Sequence, residues 1–521
     1  MRNPAITILK AVAIILVVLA HSGSPTSVSH VAYMLCVSLF FVSAGYCFNP
    51  KYLNEPYTFV ARRFKTIYVP FVVWSVFFLV LNHFWFSTGI LNEHFGNAQG
   101  GVTHPLNLHD GLQSLWSIVF NMSGYDQFLC GAYWFFRTLL VSSIAFLVLL
   151  KIVENQRWFR TRLALSSSVV AIAALSMALW QISDGLRVTG LAQGGYREFM
   201  AIFFLAAGFL FRRMDLWLEA QSSTESAKET PTITEIVEET DAAGVVTLSA
   251  EGVVTPGAES VTPRTKMAKA ARKTGDFIGT FGASVVRLFG SAPLLSMPLA
   301  LAILIAVLYM GTPSMGSSAT KFSSPLLLAL SGVAGFSLVY NISALLNRVP
   351  KLNKILGFIG ENTLYVLLFH LLAFKLVSML KVAVYHLPWE MIGGHPYVHN
   401  DKGEWFWILY TIVGVGLPLG IVWLVRYCNS HYNIDSYAEF ARAAVRGSWK
   451  ALRFCAKWTW HGLRVGSVWL WAGICWLTVT SWKRIYDFCI RFVDTVKAGY
   501  DVDQDKEDVD DDTDEEYDDE D

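Results

Sequence analysis

Ten stretches of apolar residues punctuate the chain, at about 5–22, 31–48, 67–86, 129–150, 163–182, 196–211, 293–310, 324–346, 356–380 and 405–426. A helix needs roughly 17–25 such residues to cross a bilayer, so the pattern predicts ten spans. The first run resembles a signal peptide in position. It is short, and a second span follows at once, which predicts an uncleaved first span.

Basic residues fall between the runs in alternation. The loop after the second span carries Lys51, Arg62, Arg63 and Lys65. The loop after the fourth carries Lys151, Arg157, Arg160 and Arg162, and the loop after the eighth carries Arg348, Lys351 and Lys354. The loop 87–128 has no lysine or arginine, and Arg187, Lys321 and Lys402 are sparse on the same side. Because positive loops stay inside, both termini are expected in the cytoplasm. A long inner loop at 212–292 interrupts the spans. Its middle, Ser222 to Pro263, has no aromatic residue and is expected to be disordered. Arg264, Lys266, Lys269, Arg272 and Lys273 follow and suit an anionic lipid surface. After the last span, residues 427–500 mix tryptophan with lysine and arginine, the composition of interfacial amphipathic helices. A further span or hairpin around 463–481 is the rival arrangement.

Composition agrees with the pattern. Of 521 residues, 54 % are hydrophobic and 16 % charged, with a mean hydropathy of +0.42. A soluble protein carries about 25 % charge, so a soluble globular enzyme is excluded. The formal net charge of zero conceals an uneven distribution. Residues 501–521 hold fifteen acidic residues and Lys506, a charge of −14, which leaves +14 on the rest. The seven cysteines show no CxxC, so neither a zinc site nor a disulfide framework is indicated. The fold class expected is therefore all-α: a polytopic bundle of about ten transmembrane helices, with interfacial helices and disordered cytoplasmic segments. Membrane lipids are its first partners.

Ionisable residues inside spans are costly and mark candidate chemistry. Lys10 and His21 lie eleven positions apart, close to three helical turns, so both project from one face about 16 Å apart along the axis. A neutral histidine accepts a proton near neutral pH and suits activation of a hydroxyl; snorkelling of Lys10 is the structural alternative. Arg62, Arg63 and Lys65 precede the third span and match phosphate oxygens in geometry. Arg137 lies within the fourth span, Arg197 and Glu198 open the sixth, and Glu361 and His370 bracket the first half of the ninth on different sides. The loop 87–128, with His94, His104, His109, Asp110 and Asp126, suits a substrate-facing role and has no metal spacing. GxxxxGK[ST], HExxH and GxSxG are all missing. The basic residues border spans instead of forming a folded basic face, so nucleic acid is not an expected partner.

The run from Ile8-Leu9-Lys10 to Leu19-Ala20-His21-Ser22 resembles the first-span signature of the acyltransferase-3 family of bacterial membrane O-acyltransferases, here Lys10-x10-His21. Phe40-Phe41-Val42-Ser43-Ala44-Gly45-Tyr46, Arg62-Arg63-Phe64-Lys65 leading to Pro70, Tyr133-Trp134-Phe135-Phe136, Phe203 to Phe209, and Gly360-Glu361-Asn362-Thr363-Leu364-Tyr365 to His370 are similar to later elements of that family, in order. The likeness covers about residues 5–426, and the fucose 4-O-acetylase-like branch is the nearest in pattern. Thr7 departs from a frequent Asp, Ala44 from a Ser and Thr66 from a basic residue.

The resemblance implies a transmembrane acyltransferase domain over 1–426, interrupted by 212–292, an interfacial region at 427–500 and an acidic tail at 501–521. It implies a bacterial cytoplasmic-membrane enzyme that moves an acyl group, usually acetyl, from a cytosolic acyl-CoA co-substrate to a hydroxyl of an extracytoplasmic carbohydrate or glycolipid. No permanently bound cofactor or metal is expected. His21 and Lys10 would be catalytic. Arg62, Arg63 and Lys65 would hold the donor, and Arg137, Glu361 and His370 are candidate substrate or oxyanion contacts. An envelope-biosynthesis protein is the partner that would pass on an acceptor. The rival classes are a transporter or flippase of a lipid-linked glycan or small solute, and a membrane scaffold. Deleting residues 501–521 is expected to leave acyl transfer intact; complete loss of activity in a correctly inserted truncation would overturn this.

Overall fold

The computed structural model describes residues 3–95, 104–156, 159, 162–229, 293–316, 321–400 and 404–432. The interfacial region beyond Tyr432, the acidic tail and most of the long loop therefore lie outside the described residues. Among the described residues the fold has twelve principal helices: α1 (Pro4–His21), α2 (Thr26–Tyr46), α3 (Pro56–Val80), α4 (Leu108–Asn121), α5 (Trp134–Asn155), α6 (Leu163–Ile182), α7 (Tyr196–Glu229), α8 (Pro293–Met310), α9 (Ser323–Leu346), α10 (Pro350–Glu361), α11 (Thr363–Tyr385) and α12 (Phe406–Tyr432). Among the described residues eight are long and apolar enough to cross a membrane: α1, α2, α3, α5, α6, α9, α11 and α12. The remaining two expected crossings correspond to the first part of α7 and to α8, whose apolar portion is the shorter Ser296–Met310.

α1 is the central post. Pro4 occupies its first turn and the Asn3 side chain accepts the Ala5 amide, so the start is capped. Its apolar window is 61 % buried, against 22 % in the peripheral α12. α1 packs on α2, α9, α10, α11 and α12. Small residues allow the closest approaches. A Cβ at Gly45 of α2 would stand 1.9 Å from the Leu205 carbonyl oxygen of α7, and one at Gly208 would stand 1.9 Å from the Val42 carbonyl oxygen. The two backbones touch, the arrangement that drives helix association where lipid removes the hydrophobic advantage. At the N-terminal end of the bundle the Tyr340 hydroxyl donates to Asp215 at 2.9 Å and Tyr46 donates to the same carboxylate. Asn3 donates to both tyrosine oxygens. This network ties α1, α2, α7 and α9 together.

Three expected spans have different limits, and one loop contains a helix. The third span was expected to begin at residue 67, after its basic cluster. Instead α3 begins at Pro56, so Arg62, Arg63 and Lys65 lie within it. Hydropathy marks burial in lipid, whereas the helix needs only a start and backbone bonds. Residues Phe64–Tyr68 form a π-turn in which the Val69 amide reaches the Phe64 carbonyl. Pro70 follows, without an amide to give to Thr66. The ninth span was expected to be continuous from 356. It is broken at Asn362 into α10 and α11. The Asn362 side chain donates to the Phe358 carbonyl (2.7 Å) and accepts from Arg426 of α12 (2.7 Å), so side-chain bonds compete with the helix there. Glu361 and His370 thus sit on different helices. The sixth span was expected to stop at 211, but α7 runs to Glu229. The loop 87–128 contains α4, which runs back along α3 and accepts a hydrogen bond at Val119 from Tyr68 (2.6 Å).

Candidate functional site

A cavity of about 760 Å³ follows the inward face of α1. Lys10, Ile14, Val17 and His21 form one wall. The α2 wall runs from His30 to Cys47, roughly 25 Å at 1.5 Å per residue, close to the ~30 Å hydrocarbon thickness of a bilayer. Arg63, Thr66 and Ile67 face it from the π-turn, where the widened turn rotates the basic segment; such turns recur at functional sites. Trp134, Phe135 and Leu139 of α5 and Leu364 and Leu367 of α11 complete the apolar middle. Thr312, Ser314 and Gly316 frame the end near His30. One end is therefore cationic, through Lys10 and Arg63. The middle is apolar, and the other end carries His21 and His30.

The tautomer of His21 follows from its partner. Its Nδ1 lies 2.7 Å from the Val17 carbonyl oxygen, which can only accept, so Nδ1 holds the proton and Nε2 keeps the lone pair. Tyr33 stands beside it at 6.0 Å between rings. His370 of α11 stands behind it at 5.4 Å. His370 is fully buried, and its Nδ1 donates to the Val366 and Leu367 carbonyls (3.0 and 3.1 Å). Its Nε2 has no hydrogen-bond partner. In this tautomer Nε2 is an acceptor, which suits a proton relay and does not suit donation to an oxyanion.

The fold brings only some of the expected residues together. Lys10, His21 and Arg63 line the cavity, with His370 directly behind. Arg62 is exposed and donates to the Tyr52 hydroxyl at 2.8 Å, and Lys65 is exposed off the wall. Arg137 donates to the Gly190 carbonyl and does not reach the cavity. Glu361 borders a separate groove with Asn353, Gly357 and Trp423. Arg197 and Glu198 do not pair as ions within the site. Arg197 donates to the Met315 and Gly316 carbonyls (3.0 and 2.8 Å) and lies over the Trp134 ring at 4.4 Å. Glu198 is buried and accepts from Thr138 at 3.3 Å.

Lys375, Lys381 and His395, not singled out in the sequence, lie toward the His21 end, together with Asp126 of the loop 87–128. Lys375 and Lys381 of α11 are buried. The rule that marked Lys10, an ammonium within an apolar run, marks Lys375 equally. His395 packs on Phe128 at 5.5 Å, and burial followed by the Lys375 charge pushes its imidazolium down to about 3, so it is neutral. Asp126, in the loop before α5, accepts from the Phe128 and Leu129 amides (2.8 and 2.7 Å); burial pushes its carboxyl up to about 6 against those amides. No pattern of spacing links these loop residues to α1.

Among the described residues no three His, Cys, Asp or Glu cluster as metal ligands. The family model for acyltransferase-3, described as an acyltransferase domain, matches residues 3–427. No curated protein and no solved structure gives a significant match. A helical membrane bundle whose match spans every described crossing, and whose central helix carries the Lys10 and His21 of the cavity, belongs to the acyltransferase-3 family and is a membrane acyltransferase for groups other than aminoacyl groups.

Proposed function

We propose that this protein transfers an acyl group, acetyl in the simplest case, from cytosolic acyl-CoA to a hydroxyl of an extracytoplasmic carbohydrate. The observation that carries this reading is the cavity itself, with cations at one end, an apolar middle and a lone-pair imidazole nitrogen at the other. The positive-inside pattern supports placing the Lys10 and Arg63 end on the cytoplasmic side of a bacterial inner membrane. The likeness to fucose 4-O-acetylase-like proteins supports a sugar acceptor.

In the proposed reaction Arg63 and Lys10 attract the phosphates of the donor. The pantetheine arm extends along Val37, Phe40 and Leu139. His21 Nε2 takes the proton of the acceptor hydroxyl as its oxygen attacks the thioester carbonyl. The new C–O bond forms and the C–S bond breaks. The thiolate leaves as free CoA and recovers a proton, with His370 as the neighbouring station for that proton.

The test is mass spectrometry of envelope carbohydrates from cells with and without the gene, together with transfer of labelled acetyl from acetyl-CoA by purified protein. O-acyl groups that vanish with the gene and return on complementation support the reading. Identical glycans and no labelled ester refute it, and export of an unmodified glycan would favour the transporter. Arg63→Gln is expected to raise KM for acyl-CoA about tenfold, the value of one charge-assisted contact. Arg62→Gln and Lys65→Gln, off the wall, shift it less. Steady-state kinetics in detergent decide this.

A further inference from the structure

The segment between α11 and α12 folds back over the His21 end of the bundle, and two lysines hold it there. Lys375 Nζ donates to the carbonyls of Ile392 (2.9 Å) and Gly394 (2.8 Å), and Lys381 Nζ donates to the Val398 carbonyl (3.0 Å). The two lysines are 2 % and 4 % exposed. Burying an ammonium is costly; neutral carbonyls and, for Lys375, the charge of the nearby Asp126 offset only part of that cost. An aliphatic side chain would fill α11 at less cost, so the lysines are explained by what they hold. Along the strap, Gly393 lies against Asn92, where an added Cβ would stand 2.4 Å from the Asn92 Cβ. The Tyr397 ring covers Gly23, two residues beyond His21, where a Cβ would stand 2.7 Å from it. Gly23 has φ +78°, so the turn after His21 accepts this ring only with glycine there. Tyr397 lies against the exposed His399, the ring centroids 4.3 Å apart and the planes tilted by 36°.

We infer that the strap 389–399 is the acceptor-side wall of the enzyme: the Tyr397–His399 pair receives a sugar ring whose hydroxyl reaches His21, and Lys375 is the positioning residue that fixes this wall. The inference rests on the acyl-transfer reading above and extends it to the acceptor. A pair of aromatic rings with polar edges suits a pyranose, which presents C–H groups on its faces and hydroxyls at its rim. Lys375 touches neither substrate and acts through the strap.

The experiment uses full-length protein in proteoliposomes, labelled acetyl-CoA and methyl β-glucoside as the probe. Label is counted as sugar ester and as free acetate. Tyr397→Ala and Lys375→Met are each expected to shift the ester-to-acetate ratio at least fivefold toward acetate. Backbone amides of the strap should exchange at least tenfold faster in Lys375→Met. A variant that merely destabilises the bundle lowers both products and leaves the ratio in place. An unchanged ratio in both variants overturns the inference, as does unaltered strap exchange in Lys375→Met. Should Lys375→Met fail to fold, Tyr397→Ala decides through the ratio alone. Absence of ester from the wild-type protein overturns the carbohydrate reading itself, whereas ester formed normally by both variants overturns only the role of the strap.

Discussion

His21→Ala is expected to lower acyl transfer by about 10³-fold, within the 10²–10⁴-fold range of a positioned general base. The Val17 carbonyl fixes the proton on Nδ1, which leaves Nε2 as the one basic atom that the α1 wall presents at this end of the cavity. Alanine removes that atom and only half-buried surface, so the helix and its contacts persist. His370 does not replace it, because its ring is fully enclosed behind His21. Labelled-acetyl transfer is the measurement, with membrane insertion checked by protease protection. Retained O-acylation in a correctly inserted variant would remove His21 from the mechanism.

The second large effect is on folding. Gly45→Ala is expected to destabilise the bundle by about 3 kcal/mol or more, the upper end for overpacking. The new methyl would stand 1.9 Å from a backbone carbonyl oxygen, which unlike a side chain has no other rotamer to take. α2 and α7 must separate, and the contacts across them, including Phe204, Leu205 and Phe209, loosen together. Gly208→Ala meets the reciprocal obstacle at Val42 and should behave alike. Gly416→Ala on α12, with nothing within 4 Å of the added Cβ, is the matched control. The thermal midpoint and monodispersity in detergent are the readout. A Gly45→Ala protein as stable as the Gly416→Ala protein would show that the interface yields more cheaply than its backbone contact implies.

Apolar run length determined most of the architecture. A stretch such as 163–182 has one way to satisfy its amides in lipid, and α6 spans those residues. The shared face of Lys10 and His21 was also legible, since both sit on one helix and 3.6 residues per turn sets their direction. Length alone did not mark the break at Asn362, which depends on bonds to Phe358 and to Arg426, 64 positions away. Hydropathy placed the start of α3 too late, because a helix extends past the apolar residues that bury it.

The amino-acid order by itself determined the all-helical membrane class, the family motifs and the Lys10–His21 pairing, all of which depend on local periodicity or on runs of one chemistry. Only the tertiary structure decided that Arg63 faces the cavity while Arg62 and Lys65 do not, that His370 stands against His21, and that Lys375 pins the strap over Gly23. Those facts depend on how far each helix is rotated and how deep it sits against its neighbours. That rotation is set by which small residues let backbones touch, and contacts of that kind join positions far apart in the chain.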